Sequence, residues 1–258
     1  MDDRNKLLTF LDFVGPIFGT ENFSLFLYSF VRLQAPKTIV ELGTAFGACS
    51  FSMALGAKHN GIGHVWTVDD YLLFEREKTI VETLLSRRKP EWLASLSFKD
   101  QKQYLREVAG QLGVNKFLTF VEERIDLNEP SHFDRYPFHN KTIDLLFTDF
   151  MHGPEDILRI LGHFLPRMSQ ASSIFIDAAS TFWPSYLLLE QLVAQLNNGQ
   201  VPGVLQERCN VELKEVIMNR RILLVHLTDA RTRHQNSRAW LKLEPIDLVP
   251  HPRTRMRT

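Results

Sequence analysis

The stretch from residue 38 to residue 50, TIVELGTAFGACS, constrains the fold of this chain more than any other segment. Its first residues are apolar or β-branched and predict a short buried strand that ends at the acid Glu41. A turn containing Gly43 and Gly47 follows, and an apolar helix is predicted to begin near Cys49. A strand, a glycine-containing turn and a helix in this order are typical of the ligand-binding edge of a doubly wound α/β sheet.

The residues of this turn exclude some classes of ligand. Its glycine pair alone is a weak signal, because a turn that packs any strand against any helix can need glycine. A dinucleotide fingerprint requires glycine at position 45, so that the backbone can approach a pyrophosphate, but Ala45 stands there. No Lys-Ser or Lys-Thr pair follows Gly47, so the turn is not a phosphate-binding P-loop either. These features favour a ligand that carries adenosine without a phosphate.

The segment VELGTAFGACS resembles motif I of the class I S-adenosylmethionine-dependent methyltransferases, in which E/D-x-G-x-x-x-G encloses the methionine end of the cofactor. The Gly-Thr pair after the acid, and the predicted helix end at 35–37 before the strand, are similar to the small-molecule O-methyltransferases of the catechol, caffeoyl-CoA and macrocin type. The resemblance extends from about Asn22 to about Thr181. It implies S-adenosylmethionine as the cofactor and S-adenosylhomocysteine as the product.

An acid after the second predicted strand completes the expected cofactor site. Asp69 directly follows the strand at 64–68 and lies 22 residues beyond Gly47, the separation expected for an acid that receives ribose hydroxyls. A carboxylate offers two acceptor oxygens to two hydroxyl donors. Asp70 competes for this role, and we favour Asp69 because it directly follows the apolar run. The resemblance implies these cofactor-binding residues: Glu41, Gly43, Thr44, Ala45, Phe46, Gly47, Ser50, Asp69 and Asp149.

The remaining pattern predicts an α/β fold with a doubly wound, seven-stranded, mostly parallel sheet of the Rossmann-like, class I methyltransferase kind. Further strands are predicted at 117–121, 143–148, 173–176 and 221–227. The resemblance implies that the last of these is antiparallel and pairs with 204–209. Helices are predicted at 7–13, 23–33, 51–58 and 182–196.

Three segments lie outside this core pattern, and we expect residues 1–258 to form a single methyltransferase domain. Residues 1–35 form N-terminal helices, which either pack over the cofactor mouth, as in the resembled family, or cover one face of the sheet. Residues 72–116 form a helical insertion after the second strand, which is either a lid or a peripheral layer. Residues 229–258 are expected to form an irregular tail.

Acids follow two neighbouring strands at the predicted ligand edge. Asp149 and His152 follow the strand at 143–148, and Asp177 follows the strand at 173–176, a pattern that resembles motif IV and its sequel in the same O-methyltransferases. His152 suits removal of a proton from a hydroxyl nucleophile, or it hydrogen-bonds the loop. Asp149 could orient His152, accept a bond from the substrate, or hold a metal with Asp177. We name His152 and Asp149 as candidate catalytic residues.

The resemblance also bears on a metal. In the catechol-type enzymes a third ligand, Asn or Asp, directly follows the second acid, but Ala178 occupies that position here. We therefore expect no divalent metal and name no metal-binding residue. The Asn/Asp-Pro-Pro-Tyr/Phe motif, with which other methyltransferases act on the exocyclic amines of nucleobases, is absent.

Charge and composition bound the partners. The chain has 30 lysines and arginines and 30 aspartates and glutamates, so no bulk positive field gathers nucleic acid or a membrane surface. The N-terminal sequence lacks the pattern of a secretion signal, no apolar run of about 18 residues occurs, and Cys49 and Cys209 make no disulfide framework. We expect a cytoplasmic protein with a small-molecule substrate and no nucleic-acid or membrane partner, and we leave a homodimer open.

The sequence thus predicts an enzyme, an S-adenosylmethionine-dependent methyltransferase that moves a methyl group to a hydroxyl or amine of a small molecule, for example in secondary metabolism. Two alternatives stay open. One is an NAD-dependent oxidoreductase, against which Ala45 argues. The other is a non-catalytic binding protein that keeps the methyltransferase fold, against which Glu41 and Asp69 argue.

Overall fold

The computed structural model describes residues 1–96, 99–209, 213–228 and 237–246. Within these ranges the chain forms one sheet of seven strands in the order β3-β2-β1-β4-β5-β7-β6. The strands are β1 (Thr38–Leu42), β2 (His64–Asp69), β3 (Leu118–Glu122), β4 (Ile143–Thr148), β5 (Met168–Asp177), β6 (Arg220–Thr228) and β7 (Ser237–Pro245). β7 runs antiparallel to β5 and β6, and the other neighbours are parallel. The predicted doubly wound, mostly parallel sheet is confirmed.

The order of strands reverses beside β1. β2 and β3 lie on one side of β1, whereas β4 and β5 lie on the other. In doubly wound sheets a crevice opens outside the carboxyl ends of the strands at this reversal. The turn that follows β1, which carries motif I, is therefore at the edge where a ligand is expected.

Helices connect the strands and cover both faces of the sheet. They are α1 (Asp3–Phe18), α2 (Glu21–Gln34), α3 (Ala48–Asn60), α4 (Leu73–Arg76), α5 (Lys78–Ser86), α6 (Gln101–Leu112), α7 (Pro154–Phe164), α8 (Trp183–Asn197), α9 (Gly203–Gln206) and α10 (Leu213–Ile217). α4, α5 and α6 fall within the predicted insertion at 72–116. No helix in the described ranges combines the length and the apolar character that a membrane crossing needs.

Two apolar layers hold the helices to the sheet. One layer joins α1, α2, α3 and the insertion to one face, and the other joins α7 and α8 to the opposite face. α2 packs closely on α3 because Gly56 has no side chain, and a Cβ there would lie 2.9 Å from the Val31 Cβ. The N-terminal helices thus cover one face of the sheet.

The C-terminal end of the sheet differs from the sequence-based prediction. Residues 204–209 form no strand, because the first part of this segment belongs to α9. The partner of β6 is β7 instead. The predicted antiparallel strand, 221–227, is part of β6, whereas the strand that runs antiparallel to β5 is β7. The predicted irregular tail, 229–258, contains β7 and is wrong at that point.

The alternation of residues in β7 explains this correction. In SRAWLKLEP, Ala239, Leu241 and Leu243 are buried, while Trp240 and Lys242 are partly exposed and point to the other face. A two-residue period is the mark of a strand that packs one face on the core. The polar sequence on both sides obscures that short pattern. Residues 229–236 and 247–258 lie outside the described residues.

Candidate active site

A cleft of about 510 Å³ opens at the carboxyl ends of β1, β2, β4 and β5. Of the predicted cofactor-binding residues, Gly43, Ala45, Asp69 and Asp149 line this cleft. The start of β7 adds Arg238 to its wall. The cleft therefore lies at the strand-order reversal, where doubly wound sheets bind ligands.

The turn after β1 is held against the chain that leaves β4. The Gly43 N–H donates to the Val68 carbonyl at 2.9 Å, and the Asp149 N–H donates to the Leu42 carbonyl at 2.8 Å. Gly43 has a φ of +92°, and a Cβ there would lie 2.5 Å from the Asp149 carbonyl oxygen. Only glycine combines this left-handed conformation with so close an approach of another backbone segment.

Asp69 shapes this turn as well as lining the cleft. Its Oδ2 accepts from the Thr44 N–H at 2.7 Å and from the Ala45 N–H at 3.3 Å, and its Oδ1 accepts from the Tyr71 N–H at 2.8 Å. A carboxylate has about four acceptor positions, so these three bonds leave capacity for about one ligand hydroxyl. Asp70 also lines the cleft, but it forms an ion pair of 2.8 Å with Arg76.

Glu41 lies beneath the turn, outside the larger cleft. The Ser50 hydroxyl donates to Glu41, and burial raises the pKa of Glu41 to about 8. With Thr44 and Phe46, Glu41 lines a separate cavity of about 20 Å³. Gly47 and Ser50 line neither cavity, and Gly47 directly precedes α3 with a φ of +82°. These five residues support the turn from its buried side.

The helical insertion contacts the turn directly. Gln101 is buried, its Nε2 donates to the Ala45 carbonyl at 2.9 Å, and its Oε1 accepts from the Leu73 N–H at 2.8 Å. Leu73 and Arg76, both in α4, line the cleft. One side chain thus ties the start of the insertion to the motif I turn.

The connection between α1 and α2 closes another part of the cleft wall. Phe18 and Thr20 line the cleft, and the Phe18 ring lies 5.5 Å from the Phe46 ring. The helices of the N-terminal segment thus cover a face of the sheet, and the connection between them reaches the cleft.

Asp149, Asp177 and Arg238 form a charged cluster in the cleft wall, which we call the acceptor cluster. Asp177 and Arg238 are buried, and Asp149 is half-buried. The Arg238 Nε lies 2.7 Å from Asp177 Oδ1. Burial and the adjacent Asp149 carboxylate raise the pKa of Asp177 well above its usual range, and burial also raises the pKa of Asp149. The positive charge of Arg238 opposes both shifts. Sequence reasoning missed Arg238, and the two-residue alternation of β7 is the signal that could have found it.

His152 lies outside the lining of the cleft, one residue beyond Met151, which does line it. The His152 carbonyl accepts from the Ser185 hydroxyl at 2.6 Å, which holds the loop after β4 to the start of α8. The positive form of His152 lowers the pKa of Asp149, so the two side chains are close enough to interact. The structure brings Asp149 and Asp177 together but leaves His152 beside this pair.

The donor set does not fit a divalent metal of the catechol type. Among the described residues, no group of three or more His, Cys, Asp or Glu side chains could hold a metal ion. Ala178 supplies no oxygen at the position of the third ligand, and the Arg238 guanidinium lies against Asp177. A hard divalent cation takes about six or more oxygen ligands, and an adjacent guanidinium repels it.

A family model described as a methyltransferase domain matches residues 40–179, which is more than half of the chain. The matched segment contains the motif I turn, Asp69, Asp149 and Asp177. The chain therefore belongs to this family of methyltransferase domains, and the class predicted from motif I is confirmed. No curated protein matches the chain in sequence.

Solved structures share the fold at low sequence identity. An O-methyltransferase from Bacillus cereus, determined in complex with SAH, matches with a TM-score of 0.51 and 12% identity, over 86% of this chain and 81% of that chain. Cofactor-bound Rv0187 from MTB matches with a TM-score of 0.51 and 12% identity, over 86% of this chain and 79% of that chain. These similarities support the same seven-stranded fold.

Proposed function

We propose that this chain transfers the methyl group of S-adenosylmethionine to a hydroxyl group of a small molecule. The observation that carries the proposal is the cleft at the strand-order reversal, where the motif I turn and Asp69 face Asp149 and Asp177. Membership of the methyltransferase-domain family supports it. The fold shared with an O-methyltransferase that binds SAH is consistent with it.

The residues at the ends of β1 and β2 fit the cofactor. Gly43 and Ala45 bring backbone to the cleft surface, and Asp69 keeps acceptor capacity for a ribose hydroxyl. When bound, S-adenosylmethionine supplies a methyl group on a positively charged sulfur. Glu41 and the turn residues around it act by holding the shape of this surface.

The reaction is an in-line displacement. A lone pair on the acceptor oxygen forms the new bond to the methyl carbon while the carbon–sulfur bond breaks and its electrons stay on sulfur. Most of the protein's contribution is to align oxygen, carbon and sulfur and to exclude water. In our proposal His152 takes the hydroxyl proton and Asp149 orients the acceptor, because Asp149 lines the cleft and His152 follows it in the same loop.

An amine acceptor is the second candidate. The carboxyl groups of Asp149 and Asp177 in the cleft wall could hold an amino group. The balanced charge of the chain, with 30 basic and 30 acidic residues, favours a small molecule over nucleic acid in either case. We further propose a cytoplasmic enzyme in which residues 1–258 form one domain, and sedimentation would show whether it is a homodimer.

Calorimetric titration tests the cofactor assignment. We expect S-adenosylhomocysteine to bind and NAD to give no binding heat. The reason is that Ala45 stands where a dinucleotide-binding turn has the glycine that lets the backbone approach the pyrophosphate. Binding of NAD without binding of S-adenosylhomocysteine would overturn the proposal. Transfer of a radiolabelled methyl group to a pool of small phenols, compared with a pool of amines, tests which atom receives it.

A further inference from the structure

Arg238 is the largest of the fully buried side chains in the described part of the chain, and it is 2% exposed. Its Nε lies 2.7 Å from Asp177 Oδ1, yet neither its Nε nor its Nη1 has an aligned hydrogen-bond acceptor among the described residues. Burying guanidinium N–H groups without acceptors is costly. Both nitrogens are buried, and Arg238 lines the cleft, so a ligand oxygen placed against the guanidinium would supply an acceptor that these donors lack.

The fold fixes the position of this guanidinium. Arg238 is the direct cross-strand partner of Asp177 in the antiparallel pair of β5 and β7. Its guanidinium carbon lies 4.5 Å from the centre of the Phe23 ring, a cation–π contact from α2. An arginine held by a strand register, a carboxylate and an aromatic face loses little freedom when a ligand binds.

The two acids of the acceptor cluster leave part of the arginine charge available. Burial raises the pKa of both carboxyl groups, and for Asp177 the charge of Asp149 adds to the effect. A carboxyl pair with raised pKa values keeps a proton more readily than two isolated carboxylates. The pair therefore resists carrying two full negative charges beside Arg238, which favours a further oxygen ligand on the guanidinium.

A divalent cation does not fit this place, as Ala178 and the position of Arg238 indicate. We propose, on the basis of the methyl transfer proposed above, that the Arg238 guanidinium is the fixed cation of this site and binds the reacting oxygen of a small phenol. The aromatic ring of the acceptor would lie against Phe18, Phe150 and Met151, which are large apolar side chains that line the same cleft.

The chemistry of phenols matches such a cation. A nearby arginine favours the ionised form of an acidic oxygen and lowers its pKa by about 1 to 3. Ionisation gives the oxygen the negative charge and the lone pair that attacks the methyl carbon, and the proton passes to His152, the base proposed above. A guanidinium only donates hydrogen bonds and takes no part in proton transfer, so it acts here as a fixed charge. A protonated amine, in contrast, is repelled by the guanidinium.

The first test uses the full chain saturated with S-adenosylhomocysteine and two coloured phenols, 4-nitrophenol and 4-nitrocatechol. Their neutral and ionised forms absorb at different wavelengths, so ionisation of the bound dye is read without turnover. We expect the wild-type protein to lower the pKa of a bound dye by about 1 to 3. Arg238→Gln should abolish this decrease while S-adenosylhomocysteine still binds.

Two further variants control this test. Arg238→Lys keeps the charge but loses the planar fork, so it should retain part of the decrease in the dye's pKa. Lys242→Gln removes a positive charge from the same strand and the same face, outside the cleft, and should behave like the wild type. Equal ionisation in wild type and Arg238→Gln, or failure of both dyes to bind, would overturn the proposal. If Arg238→Gln does not fold, Arg238→Lys replaces it. A decrease in the dye's pKa as large as in the wild type would then show that the planar guanidinium is not needed, which contradicts its proposed role.

The second test uses Mn²⁺ alone as a probe for a metal in place of Arg238. Titration of the S-adenosylhomocysteine complex, followed by electron paramagnetic resonance, should show no Mn²⁺ site at the acceptor cluster, and EDTA should leave dye ionisation unchanged. A Mn²⁺ site that Asp149→Asn removes and that dye ionisation requires would assign the role to a metal. That result leaves the proposed function intact, whereas failure of S-adenosylhomocysteine to bind would defeat the function itself.

Discussion

The two sides of the cleft are formed by different kinds of chemical group. One side, which we assign to the cofactor and call the cofactor side, contains the turn after β1. This turn is held by backbone hydrogen bonds, by a glycine that allows close approach of Asp149, and by Asp69, whose oxygens accept from backbone N–H groups. The other side, which we assign to the methyl acceptor and call the acceptor side, contains the buried charged side chains of Asp177 and Arg238.

This difference separates two tasks. Backbone hydrogen bonds hold much of the cofactor side, and backbone groups do not titrate, which suits a ligand that is the same in every turnover. A cluster of buried side chains sets a local field that single substitutions and protonation can change. We therefore expect changes on the cofactor side to alter affinity and changes on the acceptor side to alter rate.

The largest effect is expected from His152→Ala. Loss of a general base typically lowers the rate about 10²- to 10⁴-fold, so the rate of methyl transfer should fall strongly while the affinity for S-adenosylmethionine stays unchanged. Single-turnover kinetics and calorimetry measure the two quantities separately. His59→Ala is the control, since His59 bonds Tyr28 on the surface, outside the cleft. A His152→Ala enzyme with the wild-type rate would show that the proton goes to the acid pair or to water.

The same division explains what could be predicted from sequence. The cofactor side follows from one contiguous stretch, in which strand, acid and glycines occur in a fixed order, and from Asp69 at a fixed separation after it. Asp149 and Asp177 are predictable because each follows an apolar strand. What the sequence does not give is that Asp69 bonds the turn itself, since that contact depends on two strands lying side by side.

The alternation of β7 could have revealed the strand that carries Arg238, but the role of Arg238 in the cleft depends on long-range register. It comes from a short strand in a polar stretch, and it reaches the cleft only because β7 inserts between β5 and β6 and pairs Arg238 with Asp177. No local pattern states which strand will be its neighbour. The position of His152 outside the cleft lining has a similar origin, because the path of the loop after β4 depends on its contact with Ser185.

On the cofactor side, Gly43→Ala should have the largest effect. Gly43 and Gly61 both have positive φ, but a Cβ at Gly43 would overlap the Asp149 carbonyl, whereas nothing lies within 4 Å of one at Gly61. Left-handed strain costs about 1 to 2 kcal/mol at either position, and the overlap at Gly43 adds about 1 to 3 kcal/mol. Urea denaturation should show this difference, and S-adenosylhomocysteine affinity should fall for Gly43→Ala alone. Equal losses of stability in the two variants would mean that the turn can shift away from the chain after β4 and so relieve the overlap.

A smaller change in affinity is expected from Asp69→Ala. Loss of a charge-assisted hydrogen bond to the ribose should cost about 1.5 to 3 kcal/mol, or about ten- to a hundredfold in dissociation constant. Asp70→Ala is the matched control, because Asp70 also lines the cleft but pairs with Arg76. Calorimetry with S-adenosylhomocysteine measures both. Equal effects, or the reverse order, would place the ribose on Asp70 instead.

Glu41→Gln gives the smallest expected effect and tests whether a buried carboxyl beneath the turn makes the stability of the cofactor side depend on pH. Glu41 is a buried carboxyl whose pKa is raised from 4.5 to about 8, with no cation among the causes of its shift. Between these two pH values the folded protein holds a proton that the unfolded chain has released, so the free energy of unfolding decreases as pH rises. The slope for one such group is at most about 1.4 kcal/mol per pH unit.

Glutamine can accept the Ser50 hydrogen bond without titrating, so the variant should lose this slope while keeping the turn. Urea denaturation of the wild type and Glu41→Gln at pH 5, 6, 7 and 8 would show the variant gaining relative stability as pH rises. Asp149 and Asp177 also have raised pKa values, but they contribute equally to both proteins and cancel in the difference. Parallel curves would mean that Glu41 is already ionised in the fold, and the cofactor side would then hold a buried charge, as the acceptor side does.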